Sequence, residues 1–385
     1  MVATNTKPTS QTPSPRREKP QGSLGQFWQR VTEGLELAEL WKQFEAEARA
    51  TYGFYSRDVD WEAVAQKKGL GRGWAVTKAF FWAVLMKLSP VRRVLLLLGL
   101  VLLMAGEFTY RSGNVEARFD FGAFGVLCIL LVLVLELADK VTMKTDLEIA
   151  REIQRWLVPE TPPQIAGLDI GFATRPANTV AGDYYDAFFR DEEQRKLLLV
   201  VADVAGKSMP AALLMATFQA SLHSSAYGGG GLGELVIRLN QFACTRSRGG
   251  ERFTTAFLGE LDVATRTLTY VNAGHNAPVL RRVSGAVERL EAGGLPFGID
   301  PGARYESGST KLERNDLLLI FTDGLAEAVN ESGEEYGEGR LLYMLNTVPG
   351  ESAGETIRHL LQNIEGFVGR ARQHDDMTLL ALRNV

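Results

Sequence analysis

The chain is poor in cysteine and histidine: its 385 residues include two cysteines and four histidines. A disulfide-stabilised secreted scaffold is therefore excluded, and the lack of a Cys/His cluster argues against a structural zinc site. The first 22 residues lack the apolar stretch of a signal peptide, so export is not predicted. Cys128 lies in an apolar run and Cys244 in a predicted helix, so both are interpreted as reduced, packed thiols.

The chain as a whole also lacks a large excess of charge of either sign. The formal net charge is −4, which gives no general attraction to nucleic acid, and no nucleic-acid partner is predicted. The distribution is nevertheless uneven. Residues 1–145 hold 19 Lys and Arg against 14 Asp and Glu, whereas residues 146–385 hold 23 against 32. This asymmetry predicts two regions with different surroundings.

The N-terminal part contains a polar segment followed by a segment with helical periodicity. Residues 1–22 are rich in Pro, Ser, Thr and Gln, which predicts a disordered tail. Residues 23–90 place apolar side chains at steps of three and four, which predicts a helical region. Two interpretations of it stay open: a small helical packing domain, or a helical collar with aromatic residues at a membrane interface.

Two apolar runs follow, 94–106 and 121–135, joined by a short polar link. A single spanning helix needs about 20 apolar residues, and each run is at or below the lower limit. As a pair they predict a two-helix transmembrane hairpin over 91–137. Basic residues flank its two outer ends, so we expect a multi-pass protein of the inner (cytoplasmic) membrane with its N-terminus and C-terminal region in the cytoplasm. The alternative is a soluble protein with a core hairpin.

A further helix is predicted over 136–158, ending at a cluster of prolines. It belongs to a helical linker, 138–160, that either transmits a rotation or dimer contact from the membrane or serves as a plain connection. Arg151, Gln154 and Arg155 on this linker are predicted to be regulatory. A homodimer through the linker helix is one expectation.

From residue 167 onward short strands dominate, with helices set apart from them. The predicted strands are 168–175, 196–204, 254–262, 267–273, 277–283, 286–290, 316–322 and 377–383. The predicted helices are 209–226, 233–247, 338–347 and 353–368. Strands in hairpin-like succession favour antiparallel sheets over a βαβ array, so an α+β fold is predicted for residues 161–385.

Four acidic motifs stand out in this region: TVAGDYYD with Asp183, LLLVVADVAGKS with Asp203, LLLIFTDGLAEA with Asp323, and RQHDDMT with Asp375 and Asp376. A carboxylate at the end of an apolar strand is costly to bury unless it is paired or binds metal. The motifs contain no matching cluster of Lys or Arg. Hard cations such as Mg²⁺ and Mn²⁺ prefer oxygen ligands, so the pattern indicates a divalent-metal site.

The order of these motifs resembles that of the PPM family of metal-dependent protein phosphatases, in the bacterial branch that includes SpoIIE and RsbU. The resemblance covers about residues 140–385 and rests on an ordered series: REIQRWLVP, AGDYYD, VADVAGKS, NAGHNAP, GLPFGI, FTDGLAEA and HDDMT. It implies an α/β/β/α sandwich of two antiparallel sheets flanked by helices. It also implies hydrolysis of phosphoserine or phosphothreonine in a regulatory protein, with a STAS-domain, anti-anti-sigma-type protein as the expected substrate.

Carried over by motif, the resemblance implies a centre of two Mn²⁺ or Mg²⁺ ions. Asp203 would bridge the ions, and Val204 would offer its backbone carbonyl. The implied reaction is direct attack on phosphorus by a metal-bridging hydroxide, without a covalent enzyme intermediate. The side-chain ligands would be Asp183, Asp203, Asp323 and Asp375, supported by Gly182, Gly324 and Asp376.

One position departs from the eukaryotic pattern of the family. The eukaryotic branch has a histidine two residues after the bridging aspartate, and this chain has Ala205 there. The leaving-group acid is therefore unassigned, with Lys207 and a metal-bound water as the alternatives. Asp186 is considered as an extra outer ligand. His275 is interpreted as orienting a loop near the sheet or as part of a packed turn.

The combined prediction is a membrane-anchored protein serine/threonine phosphatase that needs Mn²⁺ or Mg²⁺. The alternative function, from another class, is a non-catalytic signalling scaffold of the same fold that binds its partner without turnover. The intact set of four aspartates favours the enzyme.

Overall fold

The computed structural model describes residues 70–112, 115–247, 249–347 and 352–385. The tail predicted over 1–22 and most of the helical region predicted over 23–90 lie outside these residues. The chain divides into two compact units, Met1–Leu137 and Ala138–Val385.

The described part of the first unit is built from apolar helices and one hairpin. Helix α1 spans Leu70–Lys87 and α2 spans Pro90–Ala105. Strands β1 (Glu107–Ser112) and β2 (Val115–Asp120) pair as an antiparallel hairpin, where the sequence predicted only a polar link. Pro90 begins α2, in the first helical turn, where its missing N–H costs nothing.

A single helix, α3, then runs from Phe121 to Trp156. The second apolar run and the predicted linker are therefore one continuous helix. The reason is local: after Gly125 no glycine or proline interrupts the sequence until Pro159. The predicted boundary between hairpin and linker lies inside this helix.

The described residues of the second unit form two sheets. The first comprises β4 (Tyr184–Phe189), β5 (Lys196–Val204), β6 (Thr254–Asp262), β7 (Thr267–Ala273), β10 (Gly293–Gly294) and β11 (Gly308–Lys311). Its order is β10-β7-β6-β5-β4, with β11 also on β7. The second comprises β3 (Leu168–Arg175), β8 (Val279–Arg281), β9 (Val287–Arg289), β12 (Leu317–Phe321) and β13 (Met377–Asn384), in the order β3-β13-β12-β8-β9. All pairs are antiparallel except β10 with β7.

Helices cover the outer face of each sheet. Along β5, Leu197 and Leu199 lie in the apolar core between the sheets, whereas Leu198 and Val200 pack with α4 (Met209–Ala226) and α5 (Leu232–Cys244). A third core joins the second sheet to α6 (Gly337–Thr347) and α7 (Ala353–Val368). The predicted α/β/β/α sandwich is thus confirmed.

Strand β4 was not predicted from the sequence. It begins directly after Asp183 and contains the buried Asp186, so its apolar pattern is interrupted in the middle. Pairing with β5 over its whole length makes it a strand, because backbone hydrogen bonds to a central neighbour outweigh an unfavourable pattern. Because Asp183 directly precedes this strand, β4 fixes the position of Asp183 at the edge of the sheet.

Candidate metal centre

The four aspartates lie at strand ends of both sheets. Asp203 is the penultimate residue of β5 and Asp183 precedes β4 in the same sheet. Asp323 follows β12 and begins a short 3-10 turn, while Asp375 precedes β13, the partner of β12. Residues far apart in sequence are therefore brought to one edge of the sandwich.

Asp183 is buried, with 6% of its surface exposed, and is held by a hydroxyl from the second sheet. The Thr322 hydroxyl donates to its Oδ2 at 2.9 Å. The same hydroxyl accepts the backbone N–H of Thr378 at 2.9 Å, which ties β12 to β13. The sequence did not single out Thr378, because threonine is common in strands.

Asp376 uses both carboxylate oxygens on the loop that carries Asp183. Its Oδ1 accepts the N–H of Ala177 and its Oδ2 accepts that of Gly182, both at 2.7 Å. Each oxygen is therefore engaged with the backbone and supports the loop directly before Asp183.

Two glycines make room for close backbone contacts at the same place. A Cβ on Gly182 would lie 3.2 Å from the Val204 carbonyl oxygen, so that carbonyl faces the loop that carries Asp183. A Cβ on Gly324 would lie 2.1 Å from the carbonyl oxygen of Asp376, a distance no side chain tolerates. Position 324 therefore needs glycine for space, whereas a Cβ at position 182 would make a tight contact.

The carboxylates raise one another's pKa. Burial, then the charge of Asp203, raises the pKa of Asp183 well above its usual range. Burial, then the charges of Asp323 and Asp375, raises the pKa of Asp203 to about 7. Burial and the charge of Asp375 likewise raise the pKa of Asp323. The cluster therefore carries negative charge that its surroundings do not offset.

Cationic side chains contribute little compensation. Lys207 places its ammonium 3.0 Å from Asp375 Oδ2 and also donates to the carbonyl of His374 at 2.9 Å. Lys207 is more than half exposed, so this ion pair is weak. Lys207 thus lies beside the cluster and contacts a carboxylate there.

The chemistry of the donor set fits hard divalent cations. The groups that meet here are carboxylates and a backbone carbonyl, the oxygen ligands that Mg²⁺ and Mn²⁺ prefer. Among the described residues, no three acidic, histidine or cysteine side chains already converge as a formed metal site. The match is therefore one of donor type and charge, and a bound cation would lower the raised pKa values of Asp183 and Asp203.

The linker helix reaches this loop through one side chain. The Gln154 amide donates to the carbonyl of Ala181 at 2.6 Å and accepts the N–H of Ala181 at 2.9 Å. Arg151 and Arg155 lie beside it and line a cavity of about 490 Å³ that also reaches Asp183. The three predicted regulatory residues thus lie next to a predicted ligand.

Asp186 lies in a different cluster. Its Oδ2 accepts the hydroxyl of Tyr184 at 2.5 Å and lies 2.8 Å from His223 Nε2, and its Oδ1 accepts the N–H of Ala187. Phe188 stacks on the ring of His223 with centroids 4.3 Å apart. These contacts join β4 to α4, so the structure assigns Asp186 a packing environment that the sequence did not indicate.

His275 combines both interpretations offered for it. Its backbone N–H donates to Asn272 Oδ1 at 2.6 Å, and Asn272 Nδ2 donates to its carbonyl, which closes a tight turn. Its Nδ1 is 3.1 Å from the Thr255 hydroxyl, which donates to the Asp203 carbonyl at 3.4 Å. Burial lowers the pKa of His275 to about 4, so the ring is neutral.

Comparison with known proteins agrees with this fold. The chain is 30% identical over 245 residues to the phosphoserine phosphatase RsbU of Bacillus subtilis (strain 168), covering 63% of this chain and 70% of RsbU. It is 27% identical over 265 residues to protein IcfG of Synechocystis sp., covering 62% of this chain and 41% of IcfG. The chain thus spans less than half the length of that relative. The solved SiaA-PP2C domain of Pseudomonas aeruginosa has the same fold, with a TM-score of 0.57, 21% identity, and coverage of 64% of this chain and 98% of that one.

Fold and relatives together define the class of protein, a PPM-type phosphoprotein phosphatase, as the motifs predicted. More narrowly, the chain belongs to the SpoIIE family, whose model, described as Stage II sporulation protein E (SpoIIE), matches residues 193–385. The match begins downstream of Asp183. The interpretation of that residue therefore depends on its contacts in the fold.

Proposed function

We propose that this chain is a membrane-anchored, metal-dependent phosphatase that hydrolyses phosphoserine or phosphothreonine in a regulatory protein. One observation carries the catalytic part: carboxylates from both sheets lie at one edge of the sandwich, and their pKa values are raised. Burial and the charge of Asp203 raise the pKa of Asp183, and burial and the charges of Asp323 and Asp375 raise that of Asp203. Such a cluster is characteristic of a functional site.

The two ions, Mn²⁺ or Mg²⁺, would be held by these side chains together with the Val204 carbonyl: Asp183, Asp203, Asp323 and Asp375. When bound, divalent ions make water nucleophilic at neutral pH and offset charge on the phosphoryl oxygens. The chain itself supplies orientation: Thr322 directs Asp183, and Asp376 holds the loop before it.

The catalytic proposal is tested with p-nitrophenyl phosphate and a phosphoserine peptide, using the detergent-solubilised full chain with added Mn²⁺. We expect turnover that Asp203→Asn and Asp323→Asn each reduce at least about 100-fold, since a lost ligand disrupts the centre. Asp191→Asn, in the β4–β5 turn, is the matched control and should retain the wild-type rate. Absence of metal-dependent turnover in the wild type would contradict the proposal.

Membrane anchoring is supported by the first unit. Among the described helices, α3 alone is long and apolar enough to cross a membrane, and little of its apolar window is buried. Helix α2, with 16 residues, is about 24 Å long and shorter than a bilayer core of about 30 Å.

Contacts between α2 and α3 support a paired hairpin. A Cβ on Gly125 would lie 2.6 Å from the Gly99 carbonyl oxygen, so glycines allow the two backbones to approach closely. Arg92 and Glu136 form an ion pair of 2.9 Å between the two helices. We propose that both helices enter the membrane, with the two outer ends in the cytoplasm.

This topology has its own test. Carbonate extraction of membranes should leave the chain in the pellet, and a membrane-impermeant thiol reagent should label a cysteine introduced at Thr109 only from the non-cytoplasmic side. Asp146→Cys, on the cytoplasmic part of α3 in this proposal, is the control and should show the opposite labelling. Release by carbonate would refute the anchor.

The proposed substrate is a phosphorylated STAS-domain protein of the anti-anti-sigma type. Support comes from the motif resemblance and from the similarity to RsbU, which is named a phosphoserine phosphatase.

A homodimer through the linker is supported by apolar side chains exposed on α3: Val141, Met143, Ile149, Ile153 and Trp156. Manganese titration by calorimetry distinguishes the scaffold alternative, which predicts no binding.

A further inference from the structure

An apolar groove lies on the outer helical layer beside the predicted metal centre. Two adjoining depressions share Leu214, Thr217 and Arg252. The one between α4, α5 and the start of β6 has a volume of about 40 Å³, and the one along the first turns of α4 has a volume of about 320 Å³. Leu213 on the rim is 62% exposed, and Phe242 on α5 is 36% exposed. We call this surface the α4–α5 groove.

The charge of the α4–α5 groove has one sign. Arg246 and Arg252 line it, and none of the carboxylates that the structure describes does. Arg246 lies over the ring of Phe242 at 5.5 Å, and neither guanidinium forms an ion pair with a described residue. In contrast, the larger cavity under the linker is lined by two arginines together with the carboxyl groups of Glu160 and Asp183.

The α4–α5 groove also adjoins the catalytic edge. Phe253 and Thr254 line it, and Thr254 pairs with Val204 in the sheet. The N–H of Ala205 donates to the Phe253 carbonyl at 3.0 Å. A segment seated in the groove would therefore lie next to the loop that follows Asp203.

We propose that the α4–α5 groove docks an acidic amphipathic segment of the phosphorylated substrate protein. This deepens the proposed function, on which it rests, by naming the chemistry through which the substrate is selected. Leucine-like side chains would cover Leu213 and Phe242, and carboxylates would pair with Arg246 and Arg252. Docking there raises the local concentration of phosphoserine at the metal centre without contact with the phosphoryl group.

The test measures binding separately from turnover. The probe is a fluorescein-labelled, unphosphorylated helical peptide with Leu on one face and Glu on the other, titrated by anisotropy with the solubilised full chain in EDTA. A second peptide carries Lys in place of Glu. We expect the Glu peptide to bind at least about tenfold more tightly, and Leu213→Asp or Arg252→Glu to weaken it about tenfold.

Charge reversal and matched controls sharpen the result. Arg252→Glu should improve binding of the Lys peptide, which general unfolding would not do. Tyr343→Asp on α6 is the control, because Tyr343 is as exposed (68%) but lies on the opposite layer. Equal affinity of both peptides, or equal loss with Tyr343→Asp, overturns the proposal.

A second copy of the chain is the competing occupant. Sedimentation of the wild type and Leu213→Asp decides between them: a change from dimer to monomer would assign the groove to self-association and overturn the proposal. Hydrolysis of p-nitrophenyl phosphate reports on the proposed function independently. Its absence together with normal peptide docking would refute the enzyme and leave the docking surface established.

Discussion

Asp376 supports the site through its backbone contacts, and its two oxygens hold the N–H groups of Ala177 and Gly182. Replacing it by alanine leaves two donors without a partner, at about 1–3 kcal/mol each. We expect Asp376→Ala to lower the free energy of unfolding by at least about 2 kcal/mol. Asp376→Asn retains one acceptor and should cost about half as much.

The measurement for Asp376 is urea unfolding of the metal-free protein in detergent, followed by fluorescence. A loss that is equal for the alanine and asparagine variants would show that the paired hydrogen bonds are not what stabilises this loop.

A substitution at Gly324 tests whether the backbone of Asp376 leaves no room for a side chain there. An added Cβ would meet the Asp376 carbonyl at 2.1 Å, so Gly324→Ala forces a backbone shift and should destabilise by about 1–3 kcal/mol. The matched control is Gly366→Ala in the last turn of α7, where a Cβ meets nothing within 4 Å. That variant should stabilise by about 0.5–1 kcal/mol. Thermal unfolding of the two variants should therefore shift in opposite directions, and a common direction would contradict the steric argument.

At the scale of elements, α3 is a single helix that carries both an apolar segment and the contact to the site. Gln154 makes two hydrogen bonds to Ala181, two residues before Asp183. Because a continuous helix transmits rotation along its length, a movement at its N-terminal half would bear on this contact. The sequence placed a boundary within α3 because the composition changes there, although the backbone does not.

Gln154→Ala removes both of these bonds and frees the loop that carries Asp183. Each is worth about 1 kcal/mol, so we expect Mn²⁺ affinity, measured by calorimetry, to fall about five- to tenfold or more. Glu152→Ala, two residues earlier on the exposed face of α3, is the control and should bind as the wild type does. If Gln154→Ala bound Mn²⁺ with unchanged affinity, the linker contact would have no effect on the metal centre.

At the scale of the whole molecule, the buried carboxylates oppose folding when no cation is present. The pKa of Asp203 is raised to about 7, against about 4 in the unfolded chain. The folded state therefore holds a proton more tightly there, and its stability falls as pH rises from about 4 to 7. We expect Asp203→Asn to be more stable than the wild type in EDTA, by a margin that grows over this range and then levels.

His275 acts in the opposite direction. Its pKa is lowered to about 4, so stability falls as pH drops from about 6.5 to 4. The difference between the free energies of unfolding of the wild type and Asp203→Asn at each pH does not contain this contribution, because His275 is present in both proteins. Added Mn²⁺ should raise the melting temperature of the wild type and not of Asp203→Asn, and a similar rise in both would contradict the assignment of Asp203.

The strands and helices of the catalytic unit were largely readable in the sequence because their signals are local. The continuous apolar run of β5 and the strong helical periodicity of α7 depend only on neighbouring residues. The ordered aspartate motifs likewise identified the family without any coordinates. The short strands β4, β10 and β11 were missed, since their formation depends on pairing with neighbours.

The sequence alone thus determined the α+β class, the family and the acidic residues on which its chemistry would depend. Only the tertiary structure decided how those residues are held: Thr322 on Asp183, Asp376 on the loop, and Asp186 in a separate cluster with His223. The physical reason is that a hydrogen bond depends on distance and direction between residues far apart in the chain, which no local pattern encodes. The same holds for the α4–α5 groove, whose arginines and apolar side chains meet only after the helices pack.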